Sequence, residues 1–314
     1  MSPLVSVVVV NFNGKKFLNA CLDALLRQTF RDFEVILVDN GSTDGSAELI
    51  RDRYPSVILV STGSNFGFAG GSNAGIRAAR GQFIVTLNND TVADPRLLEE
   101  IIKPVLEDPA IGMCAAKMVF FNGRINSTAL CLSRSGAAWN RGEGEVDHGQ
   151  WDNPEEVFGP CAGAALYRRS MLNEIGLFDE DFFLYMEDAD LAFRGRLAGW
   201  RCRYVPAARV VHIHGGTAGT KSDIAIFYGN RNIVWFVVKD FPLRTLILST
   251  PWIFGRNCAT ILYYLFQGKS TIIIRAKLSM IKGLAAMIRK RHAIVQRKPA
   301  SDIERWIGFW SRVI

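Results

Sequence analysis

The 314-residue sequence contains no CxxC pair, and none of its four histidines stands at finger spacing from cysteine. A zinc module is therefore excluded, and six cysteines scattered singly from Cys21 to Cys258 do not make the paired framework of a small secreted domain. A reducing cytosol is the expected compartment. Also missing is a basic stretch followed by a short apolar segment and a small-residue cleavage site. Met1-Ser2-Pro3 runs straight into an apolar, strand-like run, so no export signal is expected. There is no internal repeat and no low-complexity linker. Acidic residues are scarce in one region only: from Lys239 onward, fourteen Lys and Arg stand against three Asp and Glu. That surplus of eleven exceeds the formal net charge of +7, so the first 238 residues carry −4 and the basicity belongs to the tail. The tail has no recognition motif and is too apolar for a simple phosphate-binding arm, so nucleic acid is not an expected partner.

What is present is a chain with 49% hydrophobic residues, long enough for one large α/β domain with an appendage or for two modest domains. Leu4 to Val10 is a continuous β-branched run, as expected for a parallel strand buried on both faces. Phe17, Leu18, Cys21, Leu22, Leu25 and Leu26 then recur at amphipathic-helix spacing within Gly14 to Arg27. Further strands are expected at residues 33–38, 57–60, 83–87 and 111–120. Helices are expected at 44–53, capped by Ser42 or Thr43, and at 70–79 and 95–106. This alternation implies a mostly parallel, doubly wound sheet with helices on both faces. Residues 122–160 are weakly periodic and read as irregular hairpins and loops. Strands at 164–167, 202–205 and 209–212 and helices at 189–198 and 222–238 complete the body.

Three acidic clusters end apolar runs: Val38-Asp39-Asn40-Gly41-Ser42-Thr43-Asp44, Leu87-Asn88-Asn89-Asp90, and Tyr185-Met186-Glu187-Asp188-Ala189-Asp190. Open α/β sheets bind ligands beyond the carboxyl ends of their strands, which is where these carboxylates fall. The glycine-rich stretch Ser64 to Gly75 follows the third strand rather than the first, so it is a poor match to the dinucleotide-binding fingerprint of dehydrogenases. Its glycines either allow close helix packing or, with Asn65 and Asn73, line a nucleotide pocket. Glu187, Asp188 and Asp190 would offset the dipole of the helix they open, but three carboxylates exceed what a cap requires.

Taken in order, Val7 to Gly14, Val38 to Ser46, Asn65 to Gly75, Leu87 to Asp90, Gly159 to Ala164, Glu187 to Leu191 and Val211-His212 resemble a family 2 glycosyltransferase of the GT-A fold, within it bacterial rhamnosyltransferases. The resemblance spans roughly residues 4–240. It implies an inverting transferase that takes a sugar from a nucleoside-diphosphate donor. Asp39 is assigned to the nucleobase, Asn11, Phe12 and Asn13 to base and ribose, and Asn88, Asn89 and Asp90 to the donor. Asp90 and His212 become ligands of Mg2+ or Mn2+, with His214 the alternative to His212. Asn88 departs from the family pattern, which has aspartate there. Asp188 becomes the base, and Gly163, Ala164, Glu187 and Arg194 fall on the acceptor side, Arg194 being equally able to pair with Asp190. The donor sugar implied is L-rhamnose from dTDP-L-rhamnose, and the acceptor a lipid-linked saccharide of cell-envelope polysaccharide synthesis. A nucleotide-sugar-binding protein without catalysis is the alternative suggested by Asn88.

The expected division is a catalytic domain over residues 1–240, with a nucleotide-sugar half to 121 and an acceptor half from 122, then a helical tail over 241–314. The tail has apolar stretches at 243–266 and 271–288. Arg244, Pro251, Arg256 and Asn257 interrupt the first, which favours interfacial helices over a membrane span. Arg275, Lys277, Lys282 and Arg289 to Arg291 suit an anionic membrane surface, placing the protein peripherally on the cytoplasmic side. Self-association is left open.

Overall fold

The structure, a computed structural model, describes residues 2–213 and 222–309. Its first half alternates β1 (Val5–Asn11), α1 (Lys15–Leu26), β2 (Phe33–Asp39), α2 (Ser46–Arg53), β3 (Ile58–Ser61), α3 (Gly67–Ala78), β4 (Phe83–Asn88), β5 (Thr91–Ala93), α4 (Leu97–Glu107) and β6 (Ile111–Phe120). The irregular stretch holds β7 (Ile125–Ser127), β8 (Leu130–Ser133), β9 (Ala138–Asn140) and β10 (Glu155–Glu156). Then come β11 (Ala164–Arg168), α5 (Arg169–Ile175), a 3-10 turn (Glu180–Phe182), α6 (Glu187–Ala198) and β12 (Arg201–His212). The remainder is α7 (Asp223–Asp240), α8 (Leu243–Phe266), α9 (Ser270–Arg291), α10 (Ala300–Glu304) and β13 (Ile307–Gly308).

The main sheet runs β10-β12-β6-β11-β4-β1-β2-β3, with β5 on β12 and β7 on β6. β1, β2, β3 and β4 are parallel, whereas β11 inserts antiparallel between β4 and β6. Alternation along β1 explains the layering. Val5, Val7 and Val9 face a core shared with α1 and α4, while Val8 faces the other core, shared with α3, α6 and α7. The two strands expected at 202–205 and 209–212 are one strand, β12, whose pairing to β6 is interrupted by a bulge between Val205 and Arg209. A bulge bends a strand without ending it, and Pro206 falls inside it.

The tail packs on the body. Met287, Ile303 and Ile307 join the same core as Val8, and β13 pairs with β8. α9 lies against α7, where Gly283 allows the approach: a Cβ there would come within 2.1 Å of the Trp235 ring. Trp235 Nε1 donates to the Met280 carbonyl at 2.9 Å. Among the described residues no helix is long and apolar enough to cross a membrane.

Candidate active site

Parallel register sets the carboxyl ends of three strands level. Asn11 pairs with Asp39, and Val10 pairs with both Val38 and Asn88. The buried Asn11 amide donates to Ser42 Oγ at 3.1 Å and accepts from Asn89 Nδ2 at 2.7 Å. Gly14 leaves room for this pair, since a Cβ there would come within 2.1 Å of Asn89 Nδ2. Ser42 Oγ also accepts the Asn13 N–H at 3.0 Å, and Asn13 Oδ1 accepts the Thr43 N–H at 2.8 Å. Asn13 is left-handed, with φ 50°, which asparagine tolerates better than most residues. Asp39 is buried at this edge and its Oδ1 accepts the Ser42 N–H at 3.2 Å. Phe12 is half-buried on the same turn.

Ser42 and Thr43 do not cap α2. That helix starts later, at Ser46, whose N–H donates to Asp44 Oδ1 at 3.1 Å, so Ser42 serves the strand-end network instead. Asn40, which the sequence reading left without a role, orders the next loop. Its Nδ2 donates to Asn65 Oδ1 at 3.1 Å and to the Gly67 carbonyl at 2.9 Å, and its Oδ1 accepts the Phe66 N–H at 3.2 Å. Asn65 is thereby held beside the end of β2. Asn73 is engaged elsewhere. Its Nδ2 donates to the Phe178 carbonyl and to Glu180 Oε1, both at 2.8 Å, and its Oδ1 accepts the Phe178 N–H at 3.1 Å. It ties α3 to the segment before α6 rather than lining the strand-end pocket.

β4 turns through Asn89 and Asp90 into β5, which pairs antiparallel with β12 so that Thr91 faces His212. That pairing puts His212 Nε2 3.0 Å from Asp90 Oδ1, with Nδ1 2.9 Å from Asn126 Oδ1 on β7. Both ring nitrogens thus face oxygen acceptors, and a neutral imidazole can donate at only one. A carboxylate oxygen and an imidazole nitrogen form a donor set that suits a divalent cation such as Mn2+, and a cation between them would satisfy both. Asn126, behind the histidine, is where a residue that orients a ligand belongs. No periodicity in residues 122–160 marked it. Among the described residues no group of three or more His, Cys, Asp or Glu stands together as a metal cage. His214 lies outside the described residues.

The second half of the site reaches β4 through Gly163. The Asn88 N–H donates to the Gly163 carbonyl at 3.0 Å, and a Cβ on Gly163 would come within 3.0 Å of Asn88 Nδ2. Ala164 opens β11 opposite Leu87, and the Ala162 N–H points at Asp188 Oδ2, 3.4 Å away. Asp188 Oδ1 accepts the Ala189 N–H at 2.8 Å. Burial raises the Asp188 carboxyl above its ordinary range, opposed by those two N–H groups. Glu187 is more deeply buried, and its Oε2 has no hydrogen-bond partner. Burial, then the adjacent Asp188 charge, push it well above the usual carboxylate range. Burial thus favours the neutral form at Glu187 more strongly than at Asp188, whose two oxygens accept N–H groups.

Arg194 is fully occupied. Its Nε and Nη2 grip Asp190 Oδ2 at 3.0 and 2.6 Å, and its remaining N–H groups reach the carbonyls of Ile175, Gly176 and Leu177. Five N–H donors meet five acceptor contacts, so the guanidinium holds α6 in place and has none left for an acceptor. Asp190 also pairs with Lys239, and Asp179 with Lys239 and Lys290, so one ionic cluster joins α6, α7 and α9.

A family model described as "Glycosyl transferase family 2" matches residues 6–176, more than half the chain, and covers β1 to α5 with most of the strand-end site. The chain belongs to glycosyl transferase family 2. Among curated relatives of this family-2 chain, an N-acetylglucosaminyl-diphospho-decaprenol L-rhamnosyltransferase of Mycobacterium tuberculosis is 30% identical over 236 residues, covering 68% of this chain and 76% of the relative. The O-antigen biosynthesis protein RfbC of Myxococcus xanthus is 27% identical, covering 67% of this chain but 17% of that protein. Two solved structures share the fold. The Pyrobaculum calidifontis mannosyltransferase PcManGT, in complex with GDP-Man and Mn2+, has a TM-score of 0.57 at 18% identity over 94% of this chain and 86% of that one. GalNAc-T7 with UDP, GalNAc and Mn2+ has a TM-score of 0.62 at 17% identity, covering 77% of this chain and 49% of that one. The architecture is thus GT-A, followed by a C-terminal helical region, and the activity class is glycosyl transfer.

Proposed function

We propose that this glycosyltransferase is an inverting, divalent-metal-dependent enzyme that moves L-rhamnose from dTDP-L-rhamnose to a lipid-linked saccharide. One observation carries the reading: the Asp39 and Asn11 network, the Asp90–His212 pair and Asp188 share one sheet edge, linked through Asn88 and Gly163. Identity to the mycobacterial rhamnosyltransferase, whose name specifies a diphospho-decaprenol acceptor, supports the choice of sugar and of a lipid carrier.

In this reading the Asp39 carboxylate accepts the imide N–H of uracil or thymine, and Phe12, Asn13 and Asn65 border base and ribose. Asp90 and His212 would hold Mg2+ or Mn2+, whose charge offsets that of the departing diphosphate. The acceptor lies along Gly163 and Ala164, where small residues let a sugar approach the backbone. Asp188 takes the hydroxyl proton while that oxygen bonds to the anomeric carbon, and the bond to the diphosphate breaks on the opposite face. Glu187, which burial and the adjacent Asp188 charge push toward its neutral form, then adds no second negative charge beside the base.

The tail gives the protein a surface on which to meet a lipid-borne acceptor. Exposed Leu243, Ile247, Phe254 and Leu262 recur along one side of α8, and Ile274, Leu278, Ile281 and Ile288 along α9. Exposed Arg275, Lys282 and Arg289 accompany them, which suits peripheral docking on an anionic leaflet. A screen of dTDP-, UDP- and GDP-sugars with the full chain, with Mn2+ and with EDTA, tests the reading. Metal-dependent turnover of dTDP-L-rhamnose is expected. Full activity in EDTA would remove the metal assignment, and a preference for GDP-sugars the role given to Asp39.

A further inference from the structure

The segment that delivers Glu187 and Asp188 is the most strained in the described structure. Phe183, Tyr185 and Met186 all have positive φ, at 65°, 68° and 73°. Bulky side chains rarely adopt that region, and such a backbone persists only where its surroundings hold it. Three such residues within four positions need a strong restraint, and α7 supplies one. Asn232, fully buried, donates from Nδ2 to the carbonyls of Phe182, Leu184 and Tyr185 at 2.9, 2.9 and 2.8 Å. Its neighbour Arg231 donates from Nη2 to the carbonyls of Asp181 and Phe182 at 2.8 and 3.0 Å, and its guanidinium lies 3.9 Å from the centroid of the Trp235 ring. The Phe183 ring stacks on Tyr228, also of α7, with centroids 5.0 Å apart.

The other side of the segment rests on the donor half. The Ala69 N–H donates to the Phe183 carbonyl at 3.3 Å, and Gly67, with φ 70°, leaves room for it: a Cβ there would come within 2.1 Å of that oxygen. The turn is therefore held between the start of α3, beside the Asn40–Asn65 loop, and the middle of α7. Its last residue, Met186, is left-handed and opens α6, so the backbone angles of the turn set where Asp188 stands against the Ala162 N–H.

We infer that Asn232, assisted by Arg231, is a positioning residue for the transfer reaction: by holding the strained turn 183–186 it places Asp188 at the acceptor segment. This rests on the reading of Asp188 as the base. It does not require Asn232 to touch donor or acceptor, so its loss should separate turnover from donor binding.

The test compares full-length wild type with Asn232→Ala and with Arg231→Lys, which keeps the charge but loses the planar fork. Three quantities are read: turnover at saturating dTDP-L-rhamnose and acceptor, dTDP-L-rhamnose affinity, and hydrogen exchange of peptides spanning residues 181–190. For Asn232→Ala, turnover should fall on the order of 10²-fold, as expected when a reacting group is displaced by about 1 Å, with donor affinity changed less than about twofold. Exchange should rise in 181–190 and stay unchanged in the β1 and β4 peptides. Arg231→Lys, the milder change, should move the same quantities in the same direction by less. Unchanged exchange in 181–190 would overturn the inference. So would turnover, donor affinity and melting temperature falling together, which marks general loss of structure. If wild type transfers no sugar from any nucleotide donor, the functional reading fails, and the exchange measurement still judges the clamp.

Discussion

Glu187 and Asp188 are adjacent in sequence yet have different chemistry, because both oxygens of Asp188 accept N–H groups and Glu187 Oε2 accepts none. Two N–H groups oppose the effect of burial on Asp188, whereas nothing compensates Glu187 Oε2. A base must be ionised to accept a proton. Burial raises the Asp188 carboxyl, so activity should disappear as pH falls through a value above the ordinary aspartate value of about 3.9. Glu187→Gln mimics the neutral acid and should keep most turnover with that acidic limb nearly in place. Loss of turnover in Glu187→Gln, read from the pH dependence of kcat, would transfer the base role to Glu187. On this account the site residues that could be read from sequence lie in runs of recognisable order, Asp39 and Asp90 at strand ends, whereas the run before Asp188 is no strand but a 3-10 turn and a strained turn leading into α6. Those that could not, Asn126 and Asn40, act through another residue, and only three-dimensional pairing shows whom they serve. Arg194 and Asn73 are the converse. Both stand close in sequence to site residues, but structural partners, Asp190 and backbone carbonyls for Arg194 and the Phe178–Glu180 segment for Asn73, consume their donors.

At the level of elements, the parallel half was legible because burial on both faces of each strand leaves a continuous apolar run between amphipathic helices. β1, β2, β4 and β6 lie within a residue or two of expectation, and α8 spans the expected 243–266. Short pairings such as β5 with β12 have no such signal, although they build the Asp90–His212 contact. The attachment of the tail was also hidden, since composition reports charge and hydropathy but not which face is covered. Gly283 measures that attachment. Gly283→Val would drive Cβ into the Trp235 ring, and overpacking of this kind costs about 1–3 kcal/mol. The melting temperature should drop accordingly, while Gly255→Val on α8, where a Cβ meets nothing within 4 Å, should leave it nearly unchanged. Equal melting temperatures for the two variants would mean that α9 is not seated on α7.

For the whole molecule, the basic, apolar tail and the acidic site-bearing body form one packed unit. Deleting the tail would therefore strip Trp235 and the Asp179–Lys290 contact, so point changes on the outer face are the cleaner probe of docking. Phe254→Glu, Leu262→Glu and Ile281→Glu together replace side chains that are 70%, 56% and 59% exposed. The triple variant should keep its melting temperature and dTDP-L-rhamnose affinity but lose binding to phosphatidylglycerol vesicles in a sedimentation assay. Undiminished vesicle binding would remove the tail faces from the docking account.

The central claim is that one strand-end site binds the nucleotide sugar and that Asp188 performs the proton transfer. Asp188→Asn keeps the shape and most of the hydrogen bonding of the side chain but cannot accept the proton. Side-by-side measurement of dTDP-L-rhamnose binding and rhamnosyl transfer in wild type and Asp188→Asn tests this most directly. Transfer should fall on the order of 10² to 10⁴-fold with donor affinity little changed. Asparagine caps a helix as well as aspartate does, so near-wild-type transfer by Asp188→Asn would reduce the residue to a structural role and contradict the account.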